Sequence, residues 1–226
     1  MKRKYQIHES YFTNIESEDQ AYFLGLFFAD GCNVTGSNEV RLQLQSKDRE
    51  LLDQLQNNLQ PGRPLLASRR DGKDYLLLTA CHAQVSADLE RHGATSRKSA
   101  TLKFPTHLPT DILKHFVRGH FDGDGCLYFR YQNNKRSIGR AYIEGRITIV
   151  GPPSFCYPLA EYIKTELGFM PNFYTRYTSG IGEMVITGNK RVRQFLMWLY
   201  TDATVFLSRK HQKMQDFLAA PTAISQ

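Results

Sequence analysis

Little in the sequence points to a small-molecule pocket or a membrane. The four cysteines, Cys32, Cys81, Cys126 and Cys156, lie too far apart for a C-x-x-C metal site and are too sparse for a disulfide framework. Free thiols in a reducing compartment, cytoplasm or organelle matrix, are therefore expected. No apolar run approaches the roughly 20 residues of a membrane helix. The basic start, Met1-Lys-Arg-Lys-Tyr5, leads into polar residues and not a signal-peptide core, so a soluble, intracellular, non-secreted protein is expected. There is no G-x-x-x-x-G-K-[ST] loop, which argues against a nucleotide cofactor. The seven histidines show no zinc-ligand spacing, and His115 and His120 are read as surface or interface residues.

Acidic side chains are the scarcer charge. The 226 residues carry 29 Lys and Arg against 22 Asp and Glu, a net +7. Up to Leu108 the counts are 14 basic and 13 acidic; from Pro109 onward they are 15 and 9, so the second half holds most of the excess. The balance points to an anionic partner, although charge alone does not choose between nucleic acid, membrane and simple solubility. An apolar content of 41% suffices for one large domain or two small ones sharing a core.

What is present is a repeat. A shift of 94 positions lays Gly25 on Gly119, Phe27 on Phe121, Asp30 on Asp124, Gly31 on Gly125 and Cys32 on Cys126. Each copy opens with an apolar helix, signalled by a Ser17/Gln20 capping box in the first and by Pro109-Thr110-Asp111 in the second, and each helix runs into Asp-Gly. In the first copy the pattern predicts strands at 32–35 and 39–45, a helix at 47–59, a hairpin over 63–80 turning at Asp71-Gly72, and a helix at 82–92 closing on Gly93. In the second it predicts strands at 126–131 and 141–150 around the basic turn 133–140, a helix at 154–167, a hairpin over 172–187 turning at Ser179-Gly180, and a helix at 190–200. The expected fold is α/β in the α+β sense, two pseudo-symmetric α-β-β-α-β-β-α subdomains over residues 1–105 and 106–226. The Pro-containing stretch 101–109 joins them.

An aspartate ending an apolar helix adds charge where the helix dipole is already negative, at a cost of about 0.3–1 kcal/mol. Either Asp-Gly alone reads best as an ordinary turn pair. Seen twice, the arrangement suggests that Asp30 and Asp124 are compensated by a hard cation. Glycine inside a helix costs about 1 kcal/mol, so Gly25 and Gly119 call for a packing reason, and close helix-to-helix approach supplies one. Helices packed along these glycines would bring both acids out together.

The stretches Phe23-Leu-Gly-Leu-Phe-Phe-Ala29-Asp-Gly31 and Val117-Arg-Gly-His-Phe-Asp-Gly-Asp-Gly125 resemble the two signature helices of LAGLIDADG homing endonucleases of the monomeric, two-motif type. The resemblance implies antiparallel sheets forming a saddle over duplex DNA, with the signature helices at the central interface. It further implies Mg²⁺ or another divalent cation held by Asp30 and Asp124, and a double-strand break by phosphodiester hydrolysis. Asp122 matches an earlier acidic position that is not the main ligand, and Phe28 opposite it in the repeat suggests that the position is dispensable. The stretches Ser96-Arg-Lys-Ser99 and Leu207-Ser-Arg-Lys210 nominate Lys98 and Lys210 to organise water at the metals. Gln45 is a weaker nominee, since the second copy offers Val150-Gly151 there.

Recognition is expected from the exposed hairpin faces, where Arg and Gln can read guanine and adenine edges. Arg41, Gln43 and Gln45 form one row; Tyr128, Arg130 and Gln132 a second; Tyr142, Glu144, Arg146 and Thr148 a third. Arg69, Arg70 and Lys73, with Asn172, Tyr174 and Arg176, would extend the platform. The rows differ between copies, which implies an asymmetric target. Two rivals stand beside this reading: a relative that binds DNA or assists intron splicing without cutting, and a basic interaction module with no nucleic-acid role. The host element, whether intron, intein or free-standing gene, stays open.

Overall fold

The computed structural model describes residues 4–34, 36–96, 100–133, 141–175 and 180–220, the side chains of 131–133 and 141–142 excepted. In the first copy, helix α1 (Glu18–Ala29) is followed by strands β1 (Gly31–Val34) and β2 (Glu39–Gln45), helix α2 (Arg49–Leu59), strands β3 (Leu66–Arg70) and β4 (Lys73–Cys81) and helix α3 (Ala83–His92). The second copy runs α4 (Thr110–Asp124), β5 (Cys126–Asn133), β6 (Ala141–Gly151), α5 (Pro153–Leu167), β7 (Asn172–Thr175), β8 (Gly182–Thr187) and α6 (Asn189–Tyr200). Each copy thus repeats α-β-β-α-β-β-α, as expected. A last helix, α7 (Ser208–Ala219), was not anticipated.

Local chemistry accounts for these elements. Ser17 and Gln20 form the capping box, and all eight residues from Ala21 to Phe28 are buried, which fits a helix that is apolar on every side. In β2, Val40, Leu42 and Leu44 turn inward and Arg41 and Gln43 outward, the period-two pattern of a half-buried strand. Asp71 and Gly72 both adopt positive φ, 51° and 71°, so the outer hairpin turns where predicted. Helix α3 is capped by His82 and stops at left-handed Gly93. Helix α7 has few apolar side chains to reveal it. Met214 and Phe217 are its buried anchors, and the Arg193 guanidinium of α6 donates to the carbonyls of Phe217, Leu218 and Ala220 at its end.

The strands form two four-stranded antiparallel sheets with the same order, β1-β2-β4-β3 and β5-β6-β8-β7. Between them α1 packs on α4. A Cβ placed on Gly25 would fall 2.1 Å from the Phe116 carbonyl oxygen, and one on Gly119 would fall 1.9 Å from that of Tyr22, so the two backbones touch where the glycines sit. The stretch joining the copies is itself packed. Leu102, Phe104 and Leu108 are buried, and Ser154 donates to the Leu102 carbonyl. Neither of the two histidines on α4 lies open to solvent: His120 is buried against the Phe155 ring at 4.4 Å, and His115 sits partly buried 3.9 Å from the Glu18 carboxylate. All four cysteines are free thiols, and Cys156 is buried. Among the described residues no helix is long and apolar enough to cross a membrane.

The N-terminal segment is fastened to α3 by Asp88, which accepts hydrogen bonds from Thr13 (2.7 Å), Gln84 (3.0 Å) and Arg91 (3.1 Å). Burial raises the Asp88 pKa, but these donors together outweigh it and hold the carboxyl below its ordinary 3.8. A folded-state pKa below the unfolded one contributes stability that is complete above the ordinary value and lost as pH falls through the folded value. Between about pH 4 and pH 2 the melting temperature of Asp88→Asn should therefore fall less steeply than that of the parent protein. Parallel curves would show that Asp88 carries none of the acid sensitivity.

Candidate functional site

The site forms where the central helices end. Asp30 caps α1, its backbone N–H donating to the Leu26 carbonyl at 2.9 Å, and Asp124 is the last residue of α4. Both are exposed. The glycine after each acid is required by space, not by φ. A Cβ on Gly31 would lie 2.3 Å from the Phe27 ring, and one on Gly125 would lie 2.1 Å from the Phe121 ring. The repeated Asp-Gly is thus a device for leading the chain from helix to strand over a phenylalanine of the last turn.

The two acids emerge at neighbouring points. A Cβ on Gly123 would stand 2.3 Å from the Ala29 Cβ and 3.0 Å from Asp30 Oδ2. The Asp30 carboxylate therefore reaches across to the residue directly before Asp124. Two carboxylates at the negative ends of two packed helices make a strongly cation-seeking locus.

Lys210 meets part of that demand. Its Nζ donates to the carbonyls of Phe121 and Gly125, with Gly123 at 3.4 Å, and stands 5.1 Å from the centre of the Phe121 ring. Burial pushes its pKa down to about 8, while Asp122 and Asp30 pull the other way. The compensation expected of a metal is thus shared, at the end of α4, by an internal ammonium that binds the terminal carbonyls. Lys98, its nominated counterpart, lies outside the described residues.

The register revises the place of Gln45. Gly31 pairs with Leu42, and Cys126 with Thr148, which sets Gly125 level with Ile149. Gln43 is then level with Asp30 and Val150 with Asp124, so Val150 corresponds to Gln43, not to Gln45. Gln45 is half-buried at the end of β2, opposite Tyr75 and two residues beyond the acid. Gln43 is exposed and donates to Ser68 Oγ at 3.1 Å. Val150, 46% exposed, lines a cavity of about 200 Å³ with Asp124 and Ala29.

The nominated recognition side chains that the structure describes share the outer sheet faces, except Arg69, which is level with Asp74 and turns to the opposite face of its hairpin. Arg41, Gln43, Arg69, Arg70, Lys73, Tyr128, Arg130, Glu144, Arg146, Asn172 and Tyr174 are exposed, and Thr148 is half-buried. The arginines stand in ion pairs: Arg41 with Glu39 (2.7 Å), Arg69 with Asp74 (3.6 Å), Arg70 with Asp71 (3.3 Å), Arg130 with Glu144 (2.9 Å) and Arg146 with Glu183 (3.4 Å). Exposed pairs of this kind are worth at most about 1 kcal/mol, so a polyanion can take the arginines over. Arg176 and the side chains of Gln132 and Tyr142 lie outside the described residues.

Sequence reasoning missed a buried polar network beneath the site. Arg118 is fully buried; it donates to the carbonyls of Leu199 (3.1 Å) and Val205 (2.9 Å) and pairs with Glu18. Asp122, likewise fully buried, accepts from the hydroxyls of Tyr22 (2.7 Å) and Tyr200 (2.5 Å) and from the Leu207 N–H (2.7 Å). Burial raises the Asp122 pKa, and these three hydrogen bonds oppose the rise. The position read as dispensable is thus fully hydrogen-bonded in the second copy, whereas the first copy has no acid to bond. There Phe28 fills it, edge-on to Phe116 at 4.8 Å. The available signal was a pair of opposite charges, Arg118 and Asp122, four apart in the signature helix among the apolar residues Phe116, Val117 and Phe121.

Residues 17–61 match the family model of a LAGLIDADG-like domain. The fold is similar to that of the I-LtrWI LAGLIDADG homing endonuclease bound to target DNA, with TM-score 0.60 and 14% identity over 93% of this chain and 89% of that one. It is also similar to meganuclease I-SmaMI bound to uncleavable DNA (0.60, 12% identity, 88% of each chain) and to LAGLIDADG meganuclease I-AabMI bound to uncleaved DNA (0.59, 11%, 88% of each chain). A search of curated protein sequences finds no match. The chain thus contains a LAGLIDADG-like domain at residues 17–61 and, along about nine-tenths of its length, has the fold of LAGLIDADG homing endonucleases.

Proposed function

We propose that the chain is a site-specific DNA endonuclease that makes a metal-dependent double-strand break in a long, asymmetric target by phosphodiester hydrolysis. It would act as a monomer of two subdomains, residues 1–105 and 106–226, whose outer sheet faces form a saddle on the duplex. The observation that carries this reading is the meeting of the Asp30 carboxylate with the foot of α4, beside two exposed sheet faces rich in arginine.

The donor set suits a hard divalent cation such as Mg²⁺. Asp30 and Asp124 offer carboxylate oxygens, and among the described residues no cluster of three or more His, Cys, Asp or Glu could hold a metal alone. The chain would offer such a cation these two carboxylates, and phosphate oxygens and water would supply the rest of its oxygen ligands. A bound cation would polarise the scissile phosphate and lower the pKa of its water. The chain's own part is to keep two carboxylates adjacent and exposed, and to hold the Lys210 amine, whose pKa burial lowers to about 8, beside them. The cross-strand rows would orient the duplex, Arg41 and Gln43 on one sheet and Tyr128, Arg130 and Arg146 on the other.

Incubation with a randomised duplex library, followed by sequencing of cut ends, tests the proposal. Ends clustered at one asymmetric site, and only with divalent cation, are expected. A library retained but never cut would reduce the protein to a DNA-binding relative. Binding should also fall with salt, the log-log slope being about −0.9 per phosphate contacted, hence roughly −5 to −9 for six to ten contacts. A slope near zero would remove the nucleic-acid reading altogether.

A further inference from the structure

The segment that delivers Lys210 is held by the central helices. Leu207 is the N-cap of α7, and its N–H donates to the buried Asp122 carboxylate at 2.7 Å; Lys210, three residues on, returns its ammonium to the last carbonyls of α4. Behind this contact, Glu18 of α1 accepts from the N–H groups of Thr204 (2.8 Å) and Val205 (3.2 Å), and Arg118 of α4 binds the Leu199 and Val205 carbonyls. Residues 199–207 form a strap anchored to both helices that also present the acids. A backbone N–H buried without an acceptor is strongly disfavoured, so the strap keeps this path only while Asp122 receives Leu207.

The structure assigns Asp122, with Glu18 behind it, as the positioning residue for Lys210. The assignment rests on the nuclease reading and adds an asymmetry to it. At the equivalent position of α1 stands Phe28, a side chain with no acceptor, packed edge-on against Phe116. The Asp122 anchor therefore serves the cutting of one DNA strand and has no counterpart for the other.

The test uses the full chain and a duplex recovered by cleavage selection, with a different dye on each strand. Lys210→Ala identifies the strand whose cutting depends on the strap. On that strand Asp122→Ala should slow nicking about 10- to 100-fold, the scale of a roughly 1 Å misplacement near the chemistry, while the other strand changes less than about twofold. Asp122→Asn should restore most of the loss, because its carbonyl can still accept from the Leu207 N–H and the Tyr22 hydroxyl while its amide donates to the Tyr200 hydroxyl oxygen. Joining Asp122→Ala to Lys210→Ala should add no further loss on that strand. Equal slowing of both strands, or none, overturns the assignment. If Asp122→Ala does not fold, Glu18→Gln loosens the same strap from a partly exposed position and is judged by the same strand criterion. A parent protein that cuts neither strand would overturn the nuclease reading itself and this assignment with it, an outcome distinct from equal slowing.

Discussion

Asn in place of Asp30 or Asp124 is expected to yield a protein that folds, binds its target and makes no double-strand break. Either substitution preserves shape at an exposed position and removes negative charge from a helix C-terminus, where the dipole disfavours it by about 0.3–1 kcal/mol. The melting temperature should therefore hold or rise slightly. On the proposed function, in which the sheet faces bind the duplex, binding should change only a few-fold. Cutting should fall at least about a thousandfold, since an amide is a poor ligand for a hard cation and the charge stabilisation of the leaving oxygen goes with it. Anisotropy on the selected duplex, a cleavage time course and a melting curve decide the matter together. A variant that loses binding and cutting in parallel, or that melts earlier, would make these acids structural and leave the nuclease proposal without its central pair.

The parts of the fold that were legible in the sequence are those in which a local rule and the tertiary structure agree. The Ser17/Gln20 box, the alternation of Val40, Leu42 and Leu44, the Asp71-Gly72 turn and the Gly93 stop each declare themselves within a few residues. The doubled Gly-to-Asp spacing carried the pseudo-symmetry and the approach of α1 to α4. What escaped depends on contacts distant in sequence. Helix α7 owes its place to Met214, Phe217 and a capping arginine on another helix, none of which stands out in a polar stretch. The register of Gln43 against Asp30 follows from strand pairing that periodicity does not reveal. The buried Arg118 and Asp122 find their partners near residues 18–22 and 199–207, and a charged residue on an apolar helix face says only that some partner exists.

The two halves of the site consequently differ in physical character. Around α4 the carbonyls of the helix end and the half-buried Lys210 form one polar unit, joined through α7 and Leu207 to the buried Asp122. Around α1 the corresponding interior is aromatic, with Phe28 and Phe116 edge to face and the Phe28 ring 3.0 Å from where a Gly93 Cβ would stand. An aromatic core resists deformation through close packing, whereas a polar unit resists it through the cost of unpaired donors. Copies that share a backbone plan can therefore keep their acids in matching places by different means, and the exposed side chains of their two sheets differ as well.

A second large effect is expected from filling the contact between the helices. Alanine at Gly119 or Gly25 gains about 1 kcal/mol in helix propensity. Its Cβ would nevertheless sit 1.9 Å from the Tyr22 carbonyl oxygen or 2.1 Å from that of Phe116. Both obstacles are backbone in the middle of a helix, so relief requires α1 and α4 to separate along their whole shared length. Overpacking of cores usually costs about 1–3 kcal/mol, and a clash with two rigid backbones belongs at or above the upper end. Gly119→Ala should thus lose about 3 kcal/mol or more in urea unfolding, with Gly25→Ala close behind. Gly168→Ala provides the contrast: that residue ends α5 at φ 73° with nothing within 4 Å of a Cβ, so only backbone strain of about 1 kcal/mol applies. Separation of the helices also parts the Asp30 carboxylate from the foot of α4. Where Gly25→Ala still folds, its cutting should fall much further than its DNA binding, which rests on sheets that need not move. A Gly119→Ala protein as stable and as active as the parent would show that the helices do not approach this closely, and the adjacency of the two acids would go with that contact.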